Sequence, residues 1–137
     1  MYNLDRFLAA QENVYPIALE EIKAGEKQTH WMWYVFPQHK SLGQSYLAKY
    51  YGLENVDEAK EYFEHPILKQ RLMEITQALL TLSENDPTVI MGYPDDLKLR
   101  SSMTIFLEAT HNELFQQVLD KFFDGREDEL TLQYIAR

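Results

Sequence analysis

The sequence predicts an all-α fold: one compact, irregular domain over residues 1–137, with about seven helices and no significant sheet. Three observations carry this. Leu68, Leu72, Ile75, Leu79 and Leu82 recur at helical spacing and form one continuous apolar face. Residues that start and stop helices punctuate the whole chain. No segment alternates apolar and polar residues between turn signals as strands do. A length of 137 residues with 45% hydrophobic content suits a single domain with an ordinary core.

The elements follow in order. Asn3 caps a first helix whose stripe is Leu4, Phe7, Leu8, Val14 and Tyr15, continuing to Ala18 and Ile22. Pro16 kinks that helix or opens a second one in its first turn, and Gly25 stops it. Residues 30–42 cross the molecule as an ordered non-helical or short helical segment. "HWMWYVFP" is the one strand candidate, since aromatics favour strands, but one short strand makes no sheet. After Gly43, "QSYLAKYYG" is a helix ended by Gly52. Asn55 with Glu58 reads as a cap with a reciprocal acid opening "VDEAKEYFE". His65-Pro66 ends that helix and starts the next, which carries the long leucine face. Asp86-Pro87 repeats the cap-then-proline signal for a short turn through Met91. Pro94, Asp95 and Asp96 open a helix that buries Leu99, Met103 and Phe106. Asn112 caps "ELFQQVLDKFF", closed by Gly125, and "EDELTLQYIAR" forms a final helix.

Charge excludes some functions and marks two places. The formal net charge of −9 makes the chain a poor binder of nucleic acid, which needs a basic surface. There is no cysteine, so disulfide and thiolate chemistry are absent. "MYNLDRF" lacks a secretory pattern, and no apolar stretch approaches the roughly 18 residues of a membrane span, so a soluble cytoplasmic protein is expected. Two windows hold no acid: Lys27 to Leu53, with Lys27, Lys40 and Lys49 inside it, and Leu97 to Leu107, with Lys98 and Arg100. Buried residues clustering there would produce such windows. So would a site for one small anion.

Standard catalytic signatures are missing. His30, His39, His65 and His111 lie too far apart for a helical metal pair, no glycine-rich phosphate loop exists, and there is no Gly-x-Ser-x-Gly elbow. No metal and no cofactor are expected. Two stretches remain. In the first, residues 30–45, Trp31 and Trp33 stand beside the donors His30, Gln38, Lys40 and Ser45, the combination a flat hydrogen-bonding ligand requires. Each tryptophan taken singly is more often a core residue. In the second, residues 92–104, Lys98, Arg100, Ser101 and Ser102 form a candidate anion clamp, with Arg100 as a bidentate donor. Ser102 lies beside the buried row and can instead bond a backbone carbonyl. Gln11 sits on the first helix's apolar stripe, where it caps a neighbouring loop or faces a ligand.

"DRFLAAQ", "HWMWYVFPQ", "LGQS", "EAKEYFEHPIL" with "RL", and "DDLKLRSSMTIF" together resemble the bacterial family called domain of unknown function 1810, over nearly the whole chain. The resemblance implies a compact helical fold of the kind known for a mycobacterial member. The label "calpastatin", carried by some members, finds no physical support in these residues. A more distant similarity is to the NADAR family, helical proteins linked to ADP-ribose and N-glycoside hydrolysis, echoed by Trp31, Trp33, His65, Pro66, Arg100 and Met103.

The residues therefore point first to a small-ligand site for an anionic, nucleotide-like or phosphorylated compound. Aromatics would stack on its ring, and Lys98 with Arg100 would meet its phosphate. If the ligand is an N-glycoside to be hydrolysed, Asp95 and Asp96 are the candidate catalytic acids. The alternative is a protein-interaction module that exposes the 30–45 aromatics as a hot spot. Under a third reading both stretches are core. No membrane or nucleic-acid partner is expected, and oligomeric state has no sequence signal.

Overall fold

A computed structural model of the chain describes residues 2–136. Its elements are α1 (Asp5–Gln11), α2 (Tyr15–Lys23), α3 (Met32–Val35), a 3₁₀ turn (Lys40–Leu42), α4 (Tyr46–Tyr51), α5 (Val56–Glu64), α6 (Pro66–Leu80), α7 (Pro87–Met91), α8 (Asp95–Thr110), α9 (Glu113–Phe123) and α10 (Glu129–Ile135). The fold is all-α, and the described residues contain no strand. The extended backbone pairs once, in an isolated parallel bridge between His39 and Leu53. Among the described residues ten helices stand where about seven were expected: the break at Pro16 makes two helices of one, and the short segments Met32–Val35 and Pro87–Met91 are helices of their own. No helix among the described residues is long and apolar enough to cross a membrane.

Local chemistry sets most of the boundaries. Asn55, His65, Asp86, Asn112 and Asp128 each accept an N–H from the first turn of the helix that follows, satisfying donors the helix itself leaves open. Pro16, Pro66 and Pro87 sit in first turns, where a missing N–H costs nothing. Asn3 departs from expectation: Leu4 holds the cap position of α1 without a side-chain bond, and the Asn3 carbonyl accepts from Arg6 instead. The Glu58 carboxylate also reaches one residue further back than a capping box would, accepting the Glu54 N–H at 2.8 Å and pairing with Arg6 at 2.8 Å. Arg6 and Glu58 are both nearly inaccessible, so each would be a costly buried charge alone.

α8 is the centre. α5, α7, α9 and α10 all pack on it, and residues 101–106 are buried without interruption. Over this stretch α8 cannot turn polar groups to solvent. Two of its hydroxyls bond the backbone: Ser101 Oγ donates to the Leu97 carbonyl at 3.2 Å, and Thr104 Oγ1 to that of Arg100 at 2.8 Å. The α6 face packs on α2, α5 and α9, with Leu68, Leu72, Ile75 and Leu79 buried and Leu82 at its edge.

The aromatic crossing is fastened at both ends. Before it, the Glu21 carboxylate accepts the Gln28 and Thr29 N–H groups, the Thr29 hydroxyl and the Trp31 indole. At α3, the buried Gln11 amide donates to the Tyr34 carbonyl at 2.7 Å, so Gln11 caps this segment as one of its expected roles required. After it, Lys40 N–H donates to Leu53 and Leu53 N–H to Gln38. This pairing needs glycine at 52, where a Cβ would lie 2.4 Å from the Lys40 Cα.

Candidate functional site

The two acid-free windows meet. The Lys98 ammonium on α8 lies 3.5 Å from the centre of the Trp33 ring on α3, within cation–π range. Two adjoining hollows share this pair. The larger, about 300 Å³, is lined by Trp33, Gln38, Leu42, Gly43, Pro94, Leu97, Lys98, Arg100, Ser101, Asp128 and Leu130. The smaller, about 170 Å³, is lined by Lys27, His30, Met32, Trp33, Asp95 and Lys98. The larger is at the lower end for ligand sites and the smaller below it, a size that suits a mononucleotide better than a dinucleotide.

The elements explain the placement. α3 is one turn long, so Met32, Val35 and the following Phe36 take the core side while Trp33 and Tyr34 stay half-buried. α8 begins at Asp95, which puts Lys98 on the next turn facing α3. Asp95 bridges two ammonium groups, Lys27 at 2.8 Å and Lys98 at 3.4 Å. The Lys27 nitrogen also donates to the Thr29 carbonyl at 2.6 Å and stands 4.9 Å from the Trp31 ring centre. Two lysines against one carboxylate leave one positive charge in excess at the smaller hollow.

Of the residues singled out in the sequence, the structure brings His30, Trp33, Gln38, Asp95, Lys98, Arg100 and Ser101 together around these hollows. The others lie elsewhere. Trp31 is fully buried with its indole on Glu21. Ser102 is in the core and its hydroxyl has no hydrogen-bond partner. Ser45 caps α4 through the Ala48 N–H. Lys40 pairs with Glu54 at 2.9 Å across a different hollow. Asp96 is buried and accepts the Thr88 hydroxyl at 2.7 Å.

Arg100 lines the larger hollow, but not as a free clamp. Its Nε donates to the Arg126 carbonyl and its Nη2 to the Glu127 carbonyl, both at 2.9 Å, so it latches the segment leading into α10. Sequence reading passed over Lys27, Leu97, Asp128 and Leu130. Lys27 carried one signal, as the lysine that opens the longer acid-free window.

Of the aromatics in residues 30–45, Trp31 and Phe36 are buried and Trp33 and Tyr34 half-buried, whereas Tyr46 and Tyr50 on α4 are exposed and stack at 5.9 Å. Among the described residues, no group of three or more His, Cys, Asp or Glu is placed to hold a metal ion.

A helical bundle wrapped around one buried helix, with an aromatic and basic cleft on its flank, is the class these features define. The chain belongs to the family described as "Protein of unknown function (DUF1810)", which it matches over residues 1–135. It is similar to the conserved hypothetical protein Rv1873 from Mycobacterium tuberculosis, known from a crystal structure. The two share 44% identity and a TM-score of 0.95, over 98% of this chain and 96% of the other. No curated protein matches the chain.

Proposed function

We propose that the cleft at Trp33 and Lys98 binds a small ligand that combines a flat ring with an anionic group. The observation that carries this is the Lys98 ammonium at 3.5 Å from the Trp33 ring. Lys98 covers one face of the Trp33 ring, so an aromatic anion would pack on the ring's remaining face or edge while its charge meets the ammonium. Lys98 supplies the charge. Arg100, held on two carbonyls, shapes the wall and adds field rather than a bidentate grip.

The reading is one of binding. N-glycoside hydrolysis would need a carboxylate free to activate water. Asp95 lines the smaller hollow but is held by two lysines, and Asp96 is turned onto Thr88.

A thermal-shift screen of nucleoside monophosphates, sugar phosphates and ADP-ribose tests the proposal, followed by fluorescence titration of each hit. Binding stabilises by mass action and changes the emission of the half-buried Trp33. Lys98→Gln should weaken a hit by roughly tenfold or more, the usual scale for a lost charge-assisted contact. Trp33→Phe should remove the optical signal. Hits that bind both variants as tightly as the native chain would place the ligand elsewhere.

A further inference from the structure

We propose that Gln38 is the specificity-determining residue of this cleft, and that it reads a ligand edge carrying a hydrogen-bond donor beside an acceptor. The inference rests on the cleft being a ligand site and names the chemical class that site prefers.

Gln38 is only 8% exposed, and what remains accessible lines the larger hollow. Its backbone carbonyl is committed to the Leu53 N–H at 2.9 Å, which fixes where the side chain starts. Among the described residues, no protein group hydrogen-bonds its side-chain amide. The amide atoms are not closed off from solvent, so water meets them until a ligand takes its place.

The other buried glutamine shows how this fold treats a structural amide. Gln11 nitrogen donates to the Tyr34 carbonyl and the Tyr62 hydroxyl, and its oxygen accepts from Arg71. Both ends are used. The polar neighbours of Gln38 in the cleft are spent too. Ser101 Oγ is shared between the Leu97 carbonyl and Asp128, the Asp128 carboxylate also caps α10, and Arg100 holds two carbonyls. Gln38 is thus the group in this wall that offers a donor and an acceptor side by side, both uncommitted.

That pair has a specific complement. A side-chain amide makes two parallel hydrogen bonds with a planar edge on which N–H and an acceptor adjoin, as on a purine or a pyrimidine. Trp33 lines the same hollow and favours a flat ring. The amide then selects among flat anions that Trp33 and Lys98 alone would accept equally.

Isothermal titration tests this with four probes: adenosine 5′-monophosphate and uridine 5′-monophosphate, which carry such an edge; phenyl phosphate, which has ring and charge without it; and ribose 5-phosphate, which has no aromatic ring. The native chain should bind at least one nucleotide about tenfold or more tighter than phenyl phosphate, the discrimination expected of a bidentate amide contact. Gln38→Met should level that difference while melting close to the native temperature, since the amide makes no hydrogen bond within the protein. Gln38→Glu keeps an acceptor, loses the donor, and should also lose the preference.

A Gln38→Met chain that keeps the preference, or melts well below native, overturns the inference. So does a native chain that binds phenyl phosphate or ribose 5-phosphate as tightly as the nucleotides. In that last case the cleft is still a ligand site and only its selectivity is misassigned. If none of the four probes binds the native chain, this inference and the binding reading beneath it fall together.

Discussion

The Trp31 indole N–H donates to the Glu21 carboxylate at 2.9 Å, pinning the buried tryptophan two residues before the half-buried one at the cleft. Burial pushes this carboxyl up, but bonds from the Thr29 hydroxyl, the Gln28 N–H, the Trp31 indole and the Thr29 N–H outweigh it and hold it at about 2. Glu21→Gln is expected to cost about 1.5–3 kcal/mol at neutral pH, the range for hydrogen bonds to a charged group. A folded pKa lowered from 4.5 to about 2 gives stability that is present above pH 4.5 and lost as pH falls through 2. The gap between native and variant in urea unfolding should therefore narrow from pH 5 towards pH 2. A constant gap would show that the charge of Glu21 is irrelevant.

Arg100→Ala should lower the melting temperature. Two hydrogen bonds to the Arg126 and Glu127 carbonyls vanish, and those acceptors lose a charged donor. The expected cost is again about 1.5–3 kcal/mol. A variant that melts like the native chain would mean the latch contributes nothing in solution.

Glu127 works in the opposite direction to Glu21. Burial pushes its carboxyl up to about 7, and hydrogen bonding and charge from the neighbouring Glu108 add to the rise. A carboxyl raised in the folded state contributes stability below pH 4.5 that is lost as pH rises through 7. Glu127→Gln removes the charge and should stabilise the chain at pH 8.5 yet change little at pH 4. Chemical denaturation at the two values checks the sign, and an equal effect at both would refute the assignment.

Two buried positions should respond in contrasting ways. Leu72 is 1% exposed in the centre of the α6 face, and Leu72→Ala should cost about 2–5 kcal/mol through the cavity it leaves. Ser102 is fully buried with its hydroxyl unpartnered. Ser102→Ala removes an uncompensated polar group and improves helix propensity, so it should be neutral or stabilising by about 1 kcal/mol. Denaturation midpoints of the two variants, measured side by side, test whether α6 and α8 are core as described.

How far the sequence could be read depended on distance along the chain. His65-Pro66, Asp86-Pro87 and Asn112 declared their helices because a cap acts on the next two or three residues. The long leucine face was legible because its period is local. Arg6–Glu58 and Lys27–Asp95 were not, since each pair joins residues more than fifty positions apart and only the fold brings them together. Trp31 and Trp33 looked alike for a related reason. A helix of one turn, Met32–Val35, has no repeat from which a buried face can be inferred, so the core tryptophan and the cleft tryptophan read the same. Lys98, Arg100 and Ser101 line the larger hollow while Ser102 lies in the core. Which of them point outward depended on how the neighbours of α8 pack around it.

Lys27 keeps only 5% of its side chain accessible, with its nitrogen engaged by Asp95 and Thr29. An amine-acylating reagent should therefore pass it by in the folded chain while modifying Lys40, whose side chain is 43% accessible. Mass spectrometry of the digested protein would then give two clocks from one reaction. Lys40 times the reagent, and Lys27 times how often the segment around residue 27 lets go of α8.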